Sequence, residues 1–204
     1  MSSTSDKIVT GFMRFIMQED LKGKTVLDSA CGYGVWGHLI RSLHNIGGSD
    51  CYLVGCDIWK PYLMENKKYN PYDDFVLCDV RCLPFRNQVL DYIVSFEVLE
   101  HFDKQEGYAY LKQLKSLSNN IIVSTPCGFY PQGQIGKNTF ETHKAAWHIN
   151  DFKNTGYFAV KTGLGGELED AFRKFHLLSI FQKIIVTLLK RNWTGAILLA
   201  QIKE

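Results

Sequence analysis

Residues 26–37, with the sequence VLDSACGYGVWG, combine one acidic side chain with glycines at a spacing that suits a ligand-binding turn. Gly32, Gly34 and Gly37 follow the pattern G-x-G-x-x-G, which is typical of a turn from a strand into a helix. Such a turn brings a ligand against bare backbone and presents helix N-terminal amides to a pyrophosphate. Asp28 stands four residues before Gly32, however, and a carboxylate there would repel phosphates. The combination favours a ligand with a positive charge and no phosphate, although Gly37 alone could serve helix packing.

Two more acids follow the next two apolar runs, in VGCDI and LCDV. Asp57 stands where an acidic residue accepts hydrogen bonds from a ribose 2′- and 3′-hydroxyl pair. Asp79 can accept from an adenine N6 amino group while the Val80 N–H donates to N1, and Ile58 can pack on the adenine face. S-adenosylmethionine fits this set, because it is a nucleoside with a sulfonium, an α-ammonium and no phosphate.

A third group lies in the segment EVLEH at 97–101. Glu97, Glu100 and His101 have the spacing i, i+3 and i+4, which predicts one face of a helix. Glu97 and His101 are therefore candidate general bases for a hydroxyl, phenol or amine acceptor. In a second interpretation, Glu100 and His101 cap or brace the loop.

The segment FETHKAAWHINDF at 140–152 adds two histidines and a tryptophan. An aromatic wall with a histidine could orient a planar or hydroxylated acceptor, and His143 is a further candidate base. We predict no metal site from His143 and His148, because no Glu follows His143 and no cysteines cluster there.

The elements that must position these residues alternate between strand-like and helix-like segments. Predicted strands cover 24–30, 51–58, 74–80, 89–98, 120–126, 157–162 and 194–203, and predicted helices cover 7–19, 36–47, 60–69, 106–118, 147–154 and 167–191. Strands that are apolar on both faces indicate a parallel sheet covered by helices on each side. We predict a doubly wound, Rossmann-like α/β fold with seven strands, the last antiparallel, and with chemistry at the carboxyl ends of the strands.

Size and composition fit one domain. The chain has 204 residues, of which 46% are hydrophobic and 22% charged, and its net charge is +2. We divide it into an N-terminal helix (1–23), a cofactor-binding core (24–126) and an acceptor-side cap (127–204). The small net charge argues against a nucleic-acid partner. Because the N-terminus lacks a signal-peptide pattern and the cysteines suit reduced thiols, we expect a cytoplasmic protein.

Two parts of the predicted cap could contact the acceptor or a partner. The glycine- and aromatic-rich loop 127–141 is expected to close over the acceptor. The apolar helix 167–191 has three open interpretations, namely core or cap, the face of a homodimer, and a membrane-surface contact. The chain is thus predicted to be a monomer or a homodimer.

Four motifs, VLDSACGYG, VGCDI, LCDVRCLPF and LDYIVSFEVLEHF, resemble those of class I S-adenosylmethionine-dependent methyltransferases over residues 24–127. The last two are most similar to the ubiquinone-biosynthesis-type and other small-molecule methyltransferases. The resemblance implies a methyltransferase that uses S-adenosylmethionine and releases S-adenosylhomocysteine.

The resemblance also implies residue roles. Asp28 would anchor the methionine end of the cofactor and Phe96 would contact the methionyl portion through its backbone, while His143 and Trp147 would line the acceptor pocket. Ala30 departs from the pattern, since the family usually has its first glycine there. The implied cofactor-binding set is Asp28, Ala30, Gly32, Gly34, Asp57, Ile58, Asp79, Val80 and Phe96.

We therefore predict methyl transfer to a small-molecule acceptor or to a lipid- or glycan-like one. Two alternatives remain, a non-catalytic module that binds S-adenosylmethionine and an NAD-dependent oxidoreductase, although no Tyr-x-x-x-Lys pair follows the fifth strand. Asn70, Pro71 and Tyr72 form NPY, a motif of nitrogen methylation in this class. NPY belongs after the fourth strand, however, and here it precedes the third.

Overall fold

The computed structural model describes residues 20–47, 50–69, 71–162 and 196–201, and strands and helices alternate within them. The predicted helices 7–19 and 167–191 lie outside the described residues. The strands are β1 (Thr25–Ser29), β2 (Tyr52–Asp57), β3 (Asp74–Leu77), β4 (Tyr92–Phe96), β5 (Asn120–Pro126), β6 (Phe158–Thr162) and β7 (Ala196–Gln201). The α-helices are α1 (Val35–Gly47), α2 (Lys60–Tyr69) and α3 (Lys104–Leu117), and 3-10 turns cover Val80–Cys82, Leu99–His101, Thr139–Glu141 and Ile149–Phe152.

The strands form one sheet in the order β3-β2-β1-β4-β5-β7-β6. The first five strands in that order pair in parallel, and β7 pairs antiparallel with both β5 and β6. The chain order reverses between β1 and β4, which is the switch point where open parallel sheets of this kind bind ligands at the carboxyl edge. The predicted Rossmann-like α/β arrangement is confirmed.

The core lies on both faces of the sheet, because successive strand residues point to opposite sides. Leu27 and Ile93 belong to a cluster with the buried face of α3, whereas Val26 and Val94 pack in a second cluster with α1. Both clusters hold the strands in register, so the strand ends meet at one edge. Among the described residues, no helix combines the length and the apolar character needed to cross a bilayer.

Helix α3 begins later in the structure than EVLEH and slightly earlier than the predicted residue 106. Asp103 caps it, because its carboxylate accepts from the Glu106 N–H at 2.9 Å while the Glu106 carboxylate accepts from the Asp103 N–H at 3.3 Å. This reciprocal capping box fixes the helix start. Other bounds differ similarly: the predicted helix 147–154 is the short 3-10 turn Ile149–Phe152.

One close contact ties α3 to the segment that follows β5. A Cβ added at Gly107 would overlap the ring of Trp147, which is fully buried. The ring also stacks on Phe152, with centroids 5.3 Å apart. The glycine therefore provides the space in which the tryptophan anchors residues 127–152 to the core.

We expect Gly107→Ala to lower the free energy of unfolding by about 1–3 kcal/mol, because the methyl group forces the Trp147 ring to move in a packed core. Helix propensity alone predicts the opposite sign, a gain of about 1 kcal/mol. Urea denaturation followed by circular dichroism measures the difference. Gly133→Ala is the control, since nothing lies within 4 Å of its added Cβ. Equal or greater stability of Gly107→Ala would contradict the packing argument.

Candidate cofactor and acceptor site

The turn after β1 has the backbone of a ligand-binding loop. Ala30, Gly32 and Gly34 all have positive φ, of 59°, 51° and 78°. A Cβ at Gly34 would overlap the amide of Asn66, whereas a Cβ at Gly32 would meet no atom within 4 Å. Gly34 is thus required for packing, and Gly32 borders open space. Ala30 occupies a conformation that costs free energy for a residue with a side chain.

Asp57 joins the tip of β2 to this turn. Its Oδ2 accepts from the Gly32 N–H at 2.9 Å and its Oδ1 accepts from the Trp59 N–H at 2.7 Å. The side chain is buried, and desolvation raises its pKa above the usual range. Each carboxylate oxygen keeps a second lone pair, so Asp57 can still accept from two further hydroxyl groups.

A cavity of about 220 Å³ lies beyond the tips of β1, β2 and β3. It brings together four residues that the sequence predicts to bind the cofactor, and the neighbouring Arg81 is one that sequence reasoning missed. Its described lining is Ala30, Ile58, Asp79, Val80, Arg81, His101, Phe102, Thr139, Phe140 and Lys144.

Arg81 orients the carboxylate of Asp79. Its guanidinium donates to both oxygens of Asp79, at 2.6 and 3.0 Å, and to Glu106 at 2.6 Å. These hydrogen bonds lower the pKa of Asp79, which stays ionised. In the sequence, the position of this arginine two residues after Asp79 was the signal that could have indicated the contact.

Asp28 lies beneath the start of α1 rather than in the cavity. It is 1% exposed, and Tyr72 Oη donates to its Oδ2 at 2.5 Å. Burial raises the pKa of Asp28 to about 7, against the lowering effect of Tyr72 and the Gly37 main chain. A Cβ at Gly37 or Gly55 would overlap or crowd the Tyr72 ring, so the packing interpretation of Gly37 holds.

The tip of β4 presents backbone rather than an aromatic face. Phe96 is buried, and its ring lies 4.2 Å from that of Trp36 between centroids. The next residue, Glu97, has a φ of 56°, which is unusual for a residue with a long side chain. Strain of this kind is concentrated at functional sites.

The prediction that EVLEH forms one helix face is wrong, because the positive φ of Glu97 breaks the helix and only a 3-10 turn follows at Leu99–His101. Both glutamates instead turn toward the end of β5. Glu97 Oε1 accepts from Ser124 Oγ at 2.7 Å, and Glu100 Oε2 accepts from Thr125 Oγ1 at 3.0 Å. Burial raises the pKa of both carboxyl groups, and the charge of Glu97 raises that of Glu100 further.

The loop after β5 brings His143 to His101. Their ring centroids are 4.8 Å apart in an edge-to-face arrangement. Burial is the main cause that lowers the pKa of both rings, so both are neutral at pH 7. Together with Glu100 they offer ligand atoms that all lie within 4.8 Å of one another, a group that could hold a metal ion.

Trp147 does not have the predicted place on a pocket wall. Its Nε1–H donates to the Leu99 carbonyl at 2.9 Å, and Lys104 lies 4.0 Å above the ring. The side chain is fully buried and cannot touch an acceptor. Trp147 therefore fills the space left by Gly107 and does not line the acceptor pocket.

Parts of the chain are similar to known methyltransferases. Residues 26–120 match the family described as a methyltransferase domain. A probable tRNA methyltransferase 9B of Mus musculus is 32% identical over 116 residues, which are 57% of this chain and 23% of that protein. A phthiotriol/phenolphthiotriol dimycocerosates methyltransferase of Mycobacterium tuberculosis is 29% identical over 143 residues, 68% of this chain and 47% of that protein. The chain thus spans less than half the length of these relatives.

The fold is also similar to a solved structure with a bound ligand. A magnesium protoporphyrin IX methyltransferase from Synechocystis PCC 6803 with bound S-adenosylmethionine has a TM-score of 0.59 and 17% identity. The match covers 96% of this chain and 78% of that one. At this identity the similarity shows a shared fold.

The buried Asp28 makes stability depend on pH. Its pKa is raised from 3.8 to about 7 on folding, so its contribution is fully present below about pH 4 and is lost as the pH rises through 7. We expect the free energy of unfolding of the wild type to fall across this interval relative to Asp28→Asn, by at most about 4 kcal/mol. Urea titrations at pH 5 and pH 8 measure the difference.

The exposed Asp74 provides the control, as Asp74→Asn, because its carboxylate lies at the surface. If the free energy of unfolding depends on pH in the same way in the wild type and in Asp28→Asn, Asp28 is not the buried titrating group.

Proposed function

We propose that the chain is a class I S-adenosylmethionine-dependent methyltransferase that methylates an oxygen atom of a small lipid-like acceptor. Its cofactor is S-adenosylmethionine. The hydrogen bond from Gly32 to Asp57 is the main support for assigning the cofactor to these residues, because it joins the open turn to a buried acid. We assign the ribose hydroxyls to Asp57 and the adenine to Ile58, Asp79 and Val80.

The charge of the sheet edge supports a cationic ligand. Asp57 lies at this edge, and it forms no ion pair with a lysine or arginine in the described part of the chain. Desolvated carboxylates without a counter-charge are unfavourable. A sulfonium and an α-ammonium would supply that charge, whereas a pyrophosphate would add repulsion.

Methyl transfer itself needs little covalent help from the protein. A lone pair of the acceptor oxygen forms a bond to the methyl carbon while the carbon–sulfur bond breaks, and its electrons leave sulfur as a neutral thioether. The protein must hold the two reactants in line and let the hydroxyl proton leave. Glu97, His101 and His143 are the candidates to receive or help release that proton.

The apolar surface near the cavity supports a lipid-like acceptor. Residues 127–141 after β5 expose four large apolar side chains, and Phe140 also lines the cavity. The Mycobacterium tuberculosis relative is a lipid methyltransferase. The four side chains are those of Phe129, Tyr130, Ile135 and Phe140.

A tRNA acceptor is the second candidate, because the Mus musculus relative carries that name. Two cations line the cavity, Arg81 and Lys144. Arg81 is already neutralised by Asp79 and Glu106, which leaves little positive charge for a phosphate backbone. The net charge of +2 also favours the lipid-like acceptor.

We expect Asp57→Ala to weaken S-adenosylhomocysteine binding at least about tenfold, because ribose and the Gly32 turn both lose an acceptor. Gly32→Val should do the same, since a β-branched residue at a φ of 51° is strained and its side chain enters the open space. Isothermal titration calorimetry measures both. Asp74→Ala is the control, and unchanged affinity in both site variants would refute the assignment. Heat from NADH binding would favour the oxidoreductase alternative.

The acceptor class is tested by the release of S-adenosylhomocysteine. We expect turnover with hydroxylated lipid-like compounds and not with tRNA, and we expect Phe140→Ser to raise the acceptor KM several-fold. Phe158→Ser is the matched control, because Phe158 is 73% exposed on β6 and is not in the cavity lining. Turnover with tRNA alone would establish the second candidate instead.

A further inference from the structure

A cluster of two histidines and a glutamate lies beside the cavity, between the turn after β4 and the loop after β5. The ligand atoms of Glu100, His101 and His143 all lie within 4.8 Å of one another. His101 also lines the cavity. The cluster therefore borders the space assigned to the reactants, although its members come from two distant segments of the chain.

Backbone carbonyls accept hydrogen bonds from both imidazoles and leave each neutral ring one nitrogen with a lone pair. His143 Nδ1 lies 2.6 Å from the Tyr130 carbonyl oxygen, and His101 Nδ1 lies 3.3 Å from the Thr142 carbonyl oxygen. A carbonyl can only accept, so Nδ1 of the neutral His143 ring carries the proton and its Nε2 keeps a lone pair. His101 has two carbonyl acceptors, those of Thr142 and Glu97, and its neutral ring donates to one of them and keeps a lone pair on the other nitrogen. Donation of one ring N–H to a backbone carbonyl is the usual support of a metal-binding histidine.

Three glutamates lie in or near the cluster, and none of them forms an ion pair in the described part of the chain. Glu100 is 2% exposed, and Glu97 is near enough for its charge to act on it. The ion pairs within the described ranges include neither of them, nor Glu141 on the same side of the site. Glu97 and Glu100 each have a hydroxyl donor, Ser124 or Thr125, and a hydroxyl cannot neutralise a charge.

We propose that Glu100, His101 and His143 bind a divalent transition-metal ion such as Mn²⁺, Co²⁺ or Zn²⁺. Two imidazoles and a carboxylate suit these ions better than Mg²⁺ or Ca²⁺, which prefer oxygen ligands alone. Ligands at about 2.1 Å from a metal are at most about 4.2 Å apart, so small side-chain rotations would close the cluster. The sequence predicted no metal site because it considered His143 with His148, whereas His143 meets the EVLEH segment.

The role of the ion on the acceptor rests on the proposed function. Three protein ligands leave coordination positions open, and the hydroxyl oxygen of the acceptor can occupy one of them. A bound ion would lower the pKa of that hydroxyl, and Glu97 would accept its proton during methyl transfer, with the oxidation state of the ion unchanged. His101 and His143 act in this case as ligands, and the base role falls to Glu97.

Metal binding is measured on the full chain without an acceptor. After treatment with EDTA and dialysis, Mn²⁺ is titrated and the free ion is followed by electron paramagnetic resonance; the absorption spectrum of added Co²⁺ reports its ligands. We expect one bound ion in the wild type and at least about tenfold weaker binding in His101→Ala and His143→Ala. His38→Ala is the matched control, because His38 is exposed on α1 outside the cluster.

Circular dichroism shows that each variant is folded, and His101→Gln and His143→Gln replace any alanine variant that is not. Equal affinity for Mn²⁺ in all four proteins would overturn the proposal, as would the absence of wild-type binding to Mn²⁺, Co²⁺ and Zn²⁺ up to about 1 mM. Failure of the metal site leaves the cofactor titrations unaffected. If chelation does not slow methyl transfer to a lipid-like acceptor, the ion has no role on the acceptor, while the proposed function stands.

Discussion

The hydrogen bond from the Gly32 N–H to Asp57 is the interaction on which the carboxyl edge of the sheet depends. It joins the turn after β1 to the tip of β2, and the Trp59 N–H donates a second hydrogen bond to the same carboxylate. Because Asp57 is buried, its charge requires these donors. The positive φ of Gly32 is part of the turn that presents the first of them. The acid and the floor of the loop therefore form one unit, and a change in either one displaces the other.

A second constraint is the packing of Tyr72 beneath this turn. Tyr72 occupies space that only glycine leaves at Gly37 and Gly55, and from there its hydroxyl reaches Asp28. The ring thus links α1, β2 and β1 through packing, while its hydroxyl satisfies an acid that would otherwise be buried alone. Tyr72, the last residue of the NPY segment, serves this structural purpose.

The sequence was sufficient to predict features that depend on the order of neighbouring residues along the chain. Apolar runs that end in Asp57 and Asp79 predicted which acids lie at one sheet edge, because parallel strands bring their carboxyl ends together. Features that depend on distant segments could not be predicted. Nothing near Asp28 indicated Tyr72, and nothing near His101 indicated His143.

Two errors show why spacing alone was insufficient. Glu97 and His101 fit a helical spacing, but spacing does not reveal a positive φ, and the capping residues in the segment DKQE at 103–106 were the better signal for the start of α3. Trp147 fitted a pocket because it follows a histidine. The missing side chain at Gly107, which creates its place in the core, lies on another element and is visible only in three dimensions.

The two sides of the site differ in what they can contribute to rate. Carboxylates near the cofactor attract a sulfonium, but the positive charge on sulfur disperses as the methyl group leaves, so this attraction is stronger in the ground state than in the transition state. Interactions of that kind improve binding without accelerating the reaction. The acceleration must come from the acceptor side, where an oxygen gains reactivity as its proton departs and where alignment with the carbon–sulfur bond is set. Glu97, with its positive φ, and the clustered imidazoles lie on the side that we assign to the acceptor.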